Sequence, residues 1–200
     1  CIASLTSMNR FNLLLLFFVS LTTHSQMSWV MQETQRDDVW TIKGSPRDLT
    51  SASVNGQITH KDRLRIFFDT SERCKHAWLS TTFYTPYAEP DIRNLEDAEI
   101  TLEAFGGEID AEIETVVQID SGAHVAWISL LLTDVVEMKH MLEVMNDEYD
   151  EIEITILSNS QFKADKYFDI ATNRWSLNGS VDAYDRAKQL CMRTVEDILL

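Results

Sequence analysis

Beyond residue 38 the chain alternates apolar and polar positions with a period of two, and it changes to spacings of three and four in two places. Val39 to Ile42 predicts a first strand. Ala52 to His60 and Arg63 to Asp69 predict an antiparallel pair across Lys61-Asp62, with Leu64 and Ile66 facing away from Arg63 and Arg65. Lys75 to Tyr84 predicts a longer strand, with Ala77, Leu79, Thr81 and Phe83 on one face and His76, Trp78, Ser80, Thr82 and Tyr84 on the other. Ser45 to Asp48 reads as a turn and the segment between Pro86 and Pro90 as a loop. The clearest hairpin joins Glu99–Glu103 to Glu108–Ile119 through a turn at Gly106-Gly107. Ile109, Ala111, Ile113, Thr115 and Val117 share one of its faces, and Glu108, Asp110, Glu112 and Glu114 share the other.

Val125 to Leu131 is a continuous apolar run, which predicts a central strand covered on both sides. Asp134 then caps a helix to about residue 145, with Glu137 completing a capping box and Val135, Met138, Met141, Leu142 and Met145 on its apolar side. Glu151 to Leu157 returns to strand period, and Lys166–Ile170 with Asn173–Leu177 predicts a last antiparallel pair. After Asn178-Gly179, Ser180 reads as the N-cap of a second helix over 181–198, with Asp182 in its first turn and Tyr184, Ala187, Cys191, Val195 and Ile198 on its buried side. Strands followed by a helix, twice, without βαβ alternation, predict an α+β fold that is mostly β. It takes the form of an antiparallel β-sandwich or curled sheet carrying two packed helices.

The N-terminus changes the setting of this domain. Met8-Asn9-Arg10, the apolar run Phe11–Leu21 and the polar Thr22–Ser25 have the order of a signal peptide cut after Ser25. Residues 1–25 therefore read as upstream sequence plus a cleavable leader, 26–37 as a flexible lead-in, and 38–200 as one globular domain. The apolar run is shorter than the roughly 20 residues a membrane span needs, so no stable membrane anchor is expected. Export implies a periplasmic or secreted protein, and in that setting Cys74 and Cys191 form the available pair. A bridge between them closes a loop of more than half the chain. The competing reading makes Cys74 a nucleophile beside His76, and it lacks an activating context.

The net charge of −15 lies entirely after residue 26. It repels phosphate backbones, which argues against nucleic acid, and steers cationic partners towards the chain. The acidic ladder Glu108, Asp110, Glu112 and Glu114, with Glu99 and Glu103 across the hairpin, is the candidate surface for such a partner; its other reading is a solvated outer face. Trp78, Tyr84 and Tyr87 are aromatic candidates for partner contact beside core and loop packing. No metal or cofactor is expected. The ladder lacks a D-x-D-x-D-G loop, the histidines lack ligand spacing, and no G-x-S-x-G elbow or phosphate loop occurs.

The order of an apolar strand, the Asp134-capped helix, the Ile152–Ile156 strand, Trp175-Ser176-Leu177-Asn178-Gly179-Ser180, the helix at Ala183 and Cys191 resembles exported bacterial proteins of the invasion-associated locus B type. It is also similar to the VasI accessory proteins of type VI secretion. The likeness covers about residues 123–191. It implies a periplasmic β-sandwich without catalysis and carries over no functional residue; this chain has only Cys74 in its first half, where the first family has more cysteines. The expected function is a non-enzymatic, exported interaction protein binding another envelope or secretion-related protein. Two alternatives are an immunity or inhibitor protein whose acidic face blocks a cationic enzyme or toxin, and a hydrolase with an unrecognised site.

Overall fold

Short runs of alternating residues supply the strands among the described residues; β8, for one, buries Ile152, Ile154 and Ile156 between exposed or half-buried neighbours. The computed structural model describes residues 39–44, 49–85, 92–119 and 123–198. The expected leader, lead-in, Ser45–Asp48 turn and Pro86–Pro90 loop with Tyr87 lie outside the described residues. The elements are β1 (Thr41–Lys43), β2 (Leu49–Asn55), β3 (Arg63–Asp69), β4 (His76–Thr85), β5 (Ala98–Ala104), β6 (Gly107–Gln118) and β7 (His124–Asp134), followed by α1 (Val135–Glu148), β8 (Glu151–Leu157), α2 (Ala164–Tyr167), β9 (Thr172–Ser176) and α3 (Ser180–Ile198). A 3₁₀ turn at Ile92–Leu95 precedes β5. The strands form one sheet in the order β1-β2-β3-β4-β7-β6-β5-β8-β9 with every pairing antiparallel. Of the two expected forms, sandwich and curled sheet, the molecule takes the second, a curled half-barrel.

The curl brings the two ends of the sheet together without pairing them. Trp40 Nε1 donates to the Ser176 carbonyl at 3.2 Å, and Gln57 N donates to the Arg174 carbonyl at 2.8 Å. Asn173, fully buried on β9, is the hub of this seam. Its Oδ1 accepts from Ile58 N at 2.9 Å, and its Nδ2 donates to the Thr59 carbonyl at 3.0 Å and to Asp62 Oδ2 at 2.7 Å. Gly56 leaves room for it, because a Cβ there would stand 2.2 Å from Asn173 Nδ2 and 2.7 Å from the Thr59 carbonyl oxygen. Gly56→Ala is therefore expected to displace buried hydrogen bonds and cost about 2 kcal/mol or more, read as a lowered thermal midpoint.

Inside the curl, Phe83 meets Trp175 edge-on at 5.9 Å and Phe68 meets Tyr184 at 5.0 Å. Tyr184, Ala187 and Cys191 form the buried face of α3 at spacings of three and four, and the Tyr184 hydroxyl donates to the Val135 carbonyl at the start of α1. Cys191 is bonded to Cys74 in the β3–β4 turn, with Cα atoms 6.2 Å apart and a sequence separation of 117.

Several expectations are corrected. Lys166–Ile170 is not a strand: Ala164 and Phe168 are both buried at helical spacing, Ala164 N donates to the Ser158 hydroxyl oxygen at 2.9 Å, and α2 forms, so β9 pairs with β8 instead. The hairpin turn is Phe105-Gly106, both at positive φ (54° and 73°), and Gly107 already pairs with Ala104. β6 slips register between Ile113 and Thr115, so the buried position passes to Val116, whose N–H donates to Glu96 Oε1 at 3.1 Å, while Val117 is 43% exposed. β7 is not covered on both sides along its length, because Leu131 and Leu132 are 38% and 65% exposed. β2 runs Leu49–Asn55 rather than to His60, since Gly56–Asp62 bends to meet β9. Asp134 accepts from Val136 N and Glu137 N as expected, but Glu137 takes the Thr133 hydroxyl rather than closing the capping box. Ser180 does not cap: its buried hydroxyl has no hydrogen-bond partner, and it occupies the first position of α3.

Candidate functional site

The side of the sheet turned away from the core carries the chemistry. Alternation along β5 and β6 sends Ile100, Leu102 and Ile113 inward, and Glu99, Glu103, Glu108, Asp110, Glu112 and Glu114 are all exposed. The register then sets like charges face to face, Glu99 opposite Glu112 and Glu103 opposite Glu108, while Asp110 stands opposite the neutral Thr101. Such opposition is destabilising unless cations interleave. Among the described residues no ion pair reaches these six carboxylates, whereas Glu151 and Glu153 on neighbouring β8 share Arg174 at 3.9 and 3.2 Å. Glu99, Asp110 and Glu112 line an open groove of about 490 Å³ with Asn159 and Gln161 above it.

Glu114, the residue left over at the register slip, parts from the ladder. It lines a second groove of about 490 Å³ with Asp69, Glu72, His76, Trp78 and Leu132. Trp78 thus stands on the outer face as β4 alternation predicts, and Tyr84 stands further along it with the Lys61 ammonium 4.4 Å above its ring. Cys74 is engaged in its bridge and provides no thiolate beside His76, whose Nε2 lies 3.7 Å from Glu72.

Sequence reasoning missed the basic half of this face. Phe67 on β3 lies 5.6 Å from Trp78 and 5.8 Å from Trp127. The Arg65 guanidinium stacks 4.3 Å over Trp127, and its Nη1 donates to Thr82 Oγ1 at 3.1 Å. Burial, then the neighbouring Arg63, lowers the Arg65 pKa to about 9, and burial followed by Arg63 and Arg65 lowers that of Lys43. Among the described residues no ion pair reaches Lys43, Arg63 or Arg65. The alternation Arg63, Arg65, Phe67 was the available signal; Trp127 was hidden in a run expected to be covered on both sides.

The face thus runs from basic through aromatic to acidic. Among the described residues no group of three or more His, Cys, Asp or Glu side chains is placed to hold a metal ion, and no helix is long and apolar enough to cross a membrane. No family model matches the chain, and no curated protein or solved structure does either.

Proposed function

We propose that this chain is a non-catalytic interaction protein of an oxidising compartment, periplasmic or secreted, which binds another envelope or secretion-related protein through the outer face of its sheet. The observation that carries the reading is the two directly opposed glutamate pairs, Glu99 with Glu112 and Glu103 with Glu108, exposed and reached by no ion pair among the described residues. Each opposed pair costs stability by roughly 0.2–1 kcal/mol, and a cationic segment laid along the groove relieves it. The Cys74–Cys191 bridge supports the compartment, since such bonds persist where the milieu is oxidising. An inhibitor of a basic enzyme is the form of this reading in which the partner's cationic surface is its active-site rim.

The test separates binding from folding by sign. Substituting Asp110→Lys and Glu112→Lys turns the Glu99–Glu112 opposition into an attraction, so the unfolding midpoint holds or rises. Capture of the partner from envelope extract, strong at low salt for the unmodified protein, is expected to fall about tenfold or more with the same substitutions. Unchanged capture by the doubly substituted protein would sink the reading.

A further inference from the structure

Cross-strand registers place one cation and one carboxylate of this face symmetrically. Arg65 on β3 stands opposite Ser80 on β4, Ser80 opposite Ser129 on β7, and Ser129 opposite Glu112 on β6. The line between β4 and β7 therefore has Arg65 and Glu112 at equal distances on either side, about 7 Å at the usual strand spacing. One turn along the strands, the same line separates Trp78 on β4 from its partner Leu132 on β7, which is 65% exposed.

From this arrangement we infer that the outer face is self-complementary and docks a second copy of the chain, the two copies being related by a two-fold axis that runs along the strands between β4 and β7. The inference rests on the reading of this face as a protein-binding surface and names one partner for it. Such an axis exchanges the two sides of the line and keeps the position along the strands. Arg65 of one copy comes over Glu112 of the other, and Trp78 comes over Leu132, each contact occurring twice. Arg65 supplies a cation to Glu112, which no ion pair reaches among the described residues, and the exposed Leu132 gains an aromatic cover. Ser80 is 1% exposed, so the larger side chains around the row carry the contact. A cationic partner and a second copy compete for the same carboxylates.

Sedimentation of the purified protein tests this at an ionic strength of about 0.15 M, where charges beyond about 8 Å are screened and the net −15 matters less than the facing pairs. The unmodified protein is expected to show a concentration-dependent dimer. Leu132→Arg, at an exposed position that does not threaten folding, weakens it by about tenfold or more. Arg65→Glu and Glu112→Arg each abolish it, and an equimolar mixture of the two restores a heterodimer, because both facing pairs are then again opposite in sign. A protein that is monomeric throughout, an unaffected Leu132→Arg dimer, or a mixture of folded Arg65→Glu and Glu112→Arg chains that stays monomeric would each overturn the inference. Leu132→Arg keeps all six carboxylates. A monomeric protein that still captures its cationic partner therefore defeats only self-association, and a dimer whose partner capture ignores Asp110→Lys with Glu112→Lys defeats only the earlier reading.

Discussion

Loss of the Cys74–Cys191 bridge, by Cys74→Ser, Cys191→Ser or reduction, is expected to lower the unfolding free energy by about 4 kcal/mol. The bridge spans 117 residues, so breaking it returns a large loop entropy to the unfolded chain. It also acts on the folded state. Arg73 and Cys74 sit in succession at φ of 56° and 57°, a conformation costing roughly 1–2 kcal/mol for each L-residue, and the bond to α3 holds the turn there. Because both single substitutions remove the same bond, the double substitution is expected to cost little more than either. Guanidinium unfolding of the three variants, with the unmodified protein measured with and without reductant, checks this. Both cysteines are buried, at 3% and 0% exposure, so reduction of the native protein should proceed only as fast as the turn opens. A loss below about 1 kcal/mol would show that packing of α3 through Tyr184 and Ala187 holds the helix without the bond.

The parts of this fold that follow from short-range pattern were legible. Ile152, Ile154 and Ile156 set between Glu151, Glu153 and Thr155 define β8 to the residue, and Asp134 before Val135 marks the start of α1. The expectation of export and the two cysteines were enough to name the bridge. What escaped depends on neighbours that alternation cannot reveal. A turn at Gly106-Gly107 would be locally cheaper than one placing Phe105 at φ 54°, yet the register of the sheet selects the latter. Both turns keep the carboxylates on the outer face, but a two-residue difference in register decides that Glu112 opposes Glu99 rather than Thr101. The slip at Glu114 likewise answers to β7, and it moves that carboxylate from the ladder to the groove beside Trp78. The basic half of the face needs β3, β4 and β7 side by side before Arg65, Phe67, Trp78 and Trp127 come together, and that order is a property of the sheet.

The seam between the ends of the sheet is expected to weaken as pH rises from about 4 to 7, by roughly 4 kcal/mol in all. Asp62 is 1% exposed, with Oδ2 accepting from Asn173 Nδ2 at 2.7 Å and Oδ1 accepting from Tyr84 N. Burial pushes its pKa from 3.8 up to about 7, against the opposing pull of those two hydrogen bonds and of Arg65. In the unfolded chain the carboxyl ionises near its ordinary value, so between the two pKa values the folded state binds more protons. Its contribution to stability is therefore full below the unfolded value and is lost as pH rises through the folded one. Asp134 works in the other direction, because backbone hydrogen bonds from Glu137 and Val136 lower its pKa and its contribution is lost as pH falls. Asp62→Asn isolates the first effect. Its amide NH₂ confronts the NH₂ of Asn173, so the variant is less stable in acid, but the part of the pH dependence that belongs to Asp62 is gone. Urea unfolding at pH 4, 5, 6 and 7 is expected to give the variant a profile that rises relative to that of the unmodified protein, closing most of the gap by pH 7. Parallel profiles would mean that Asp62 is ionised in the folded protein throughout. The seam would then hold a buried carboxylate stabilised by Asn173, Tyr84 and Arg65 together, and Asn173→Ala would cost more at pH 7 than at pH 4.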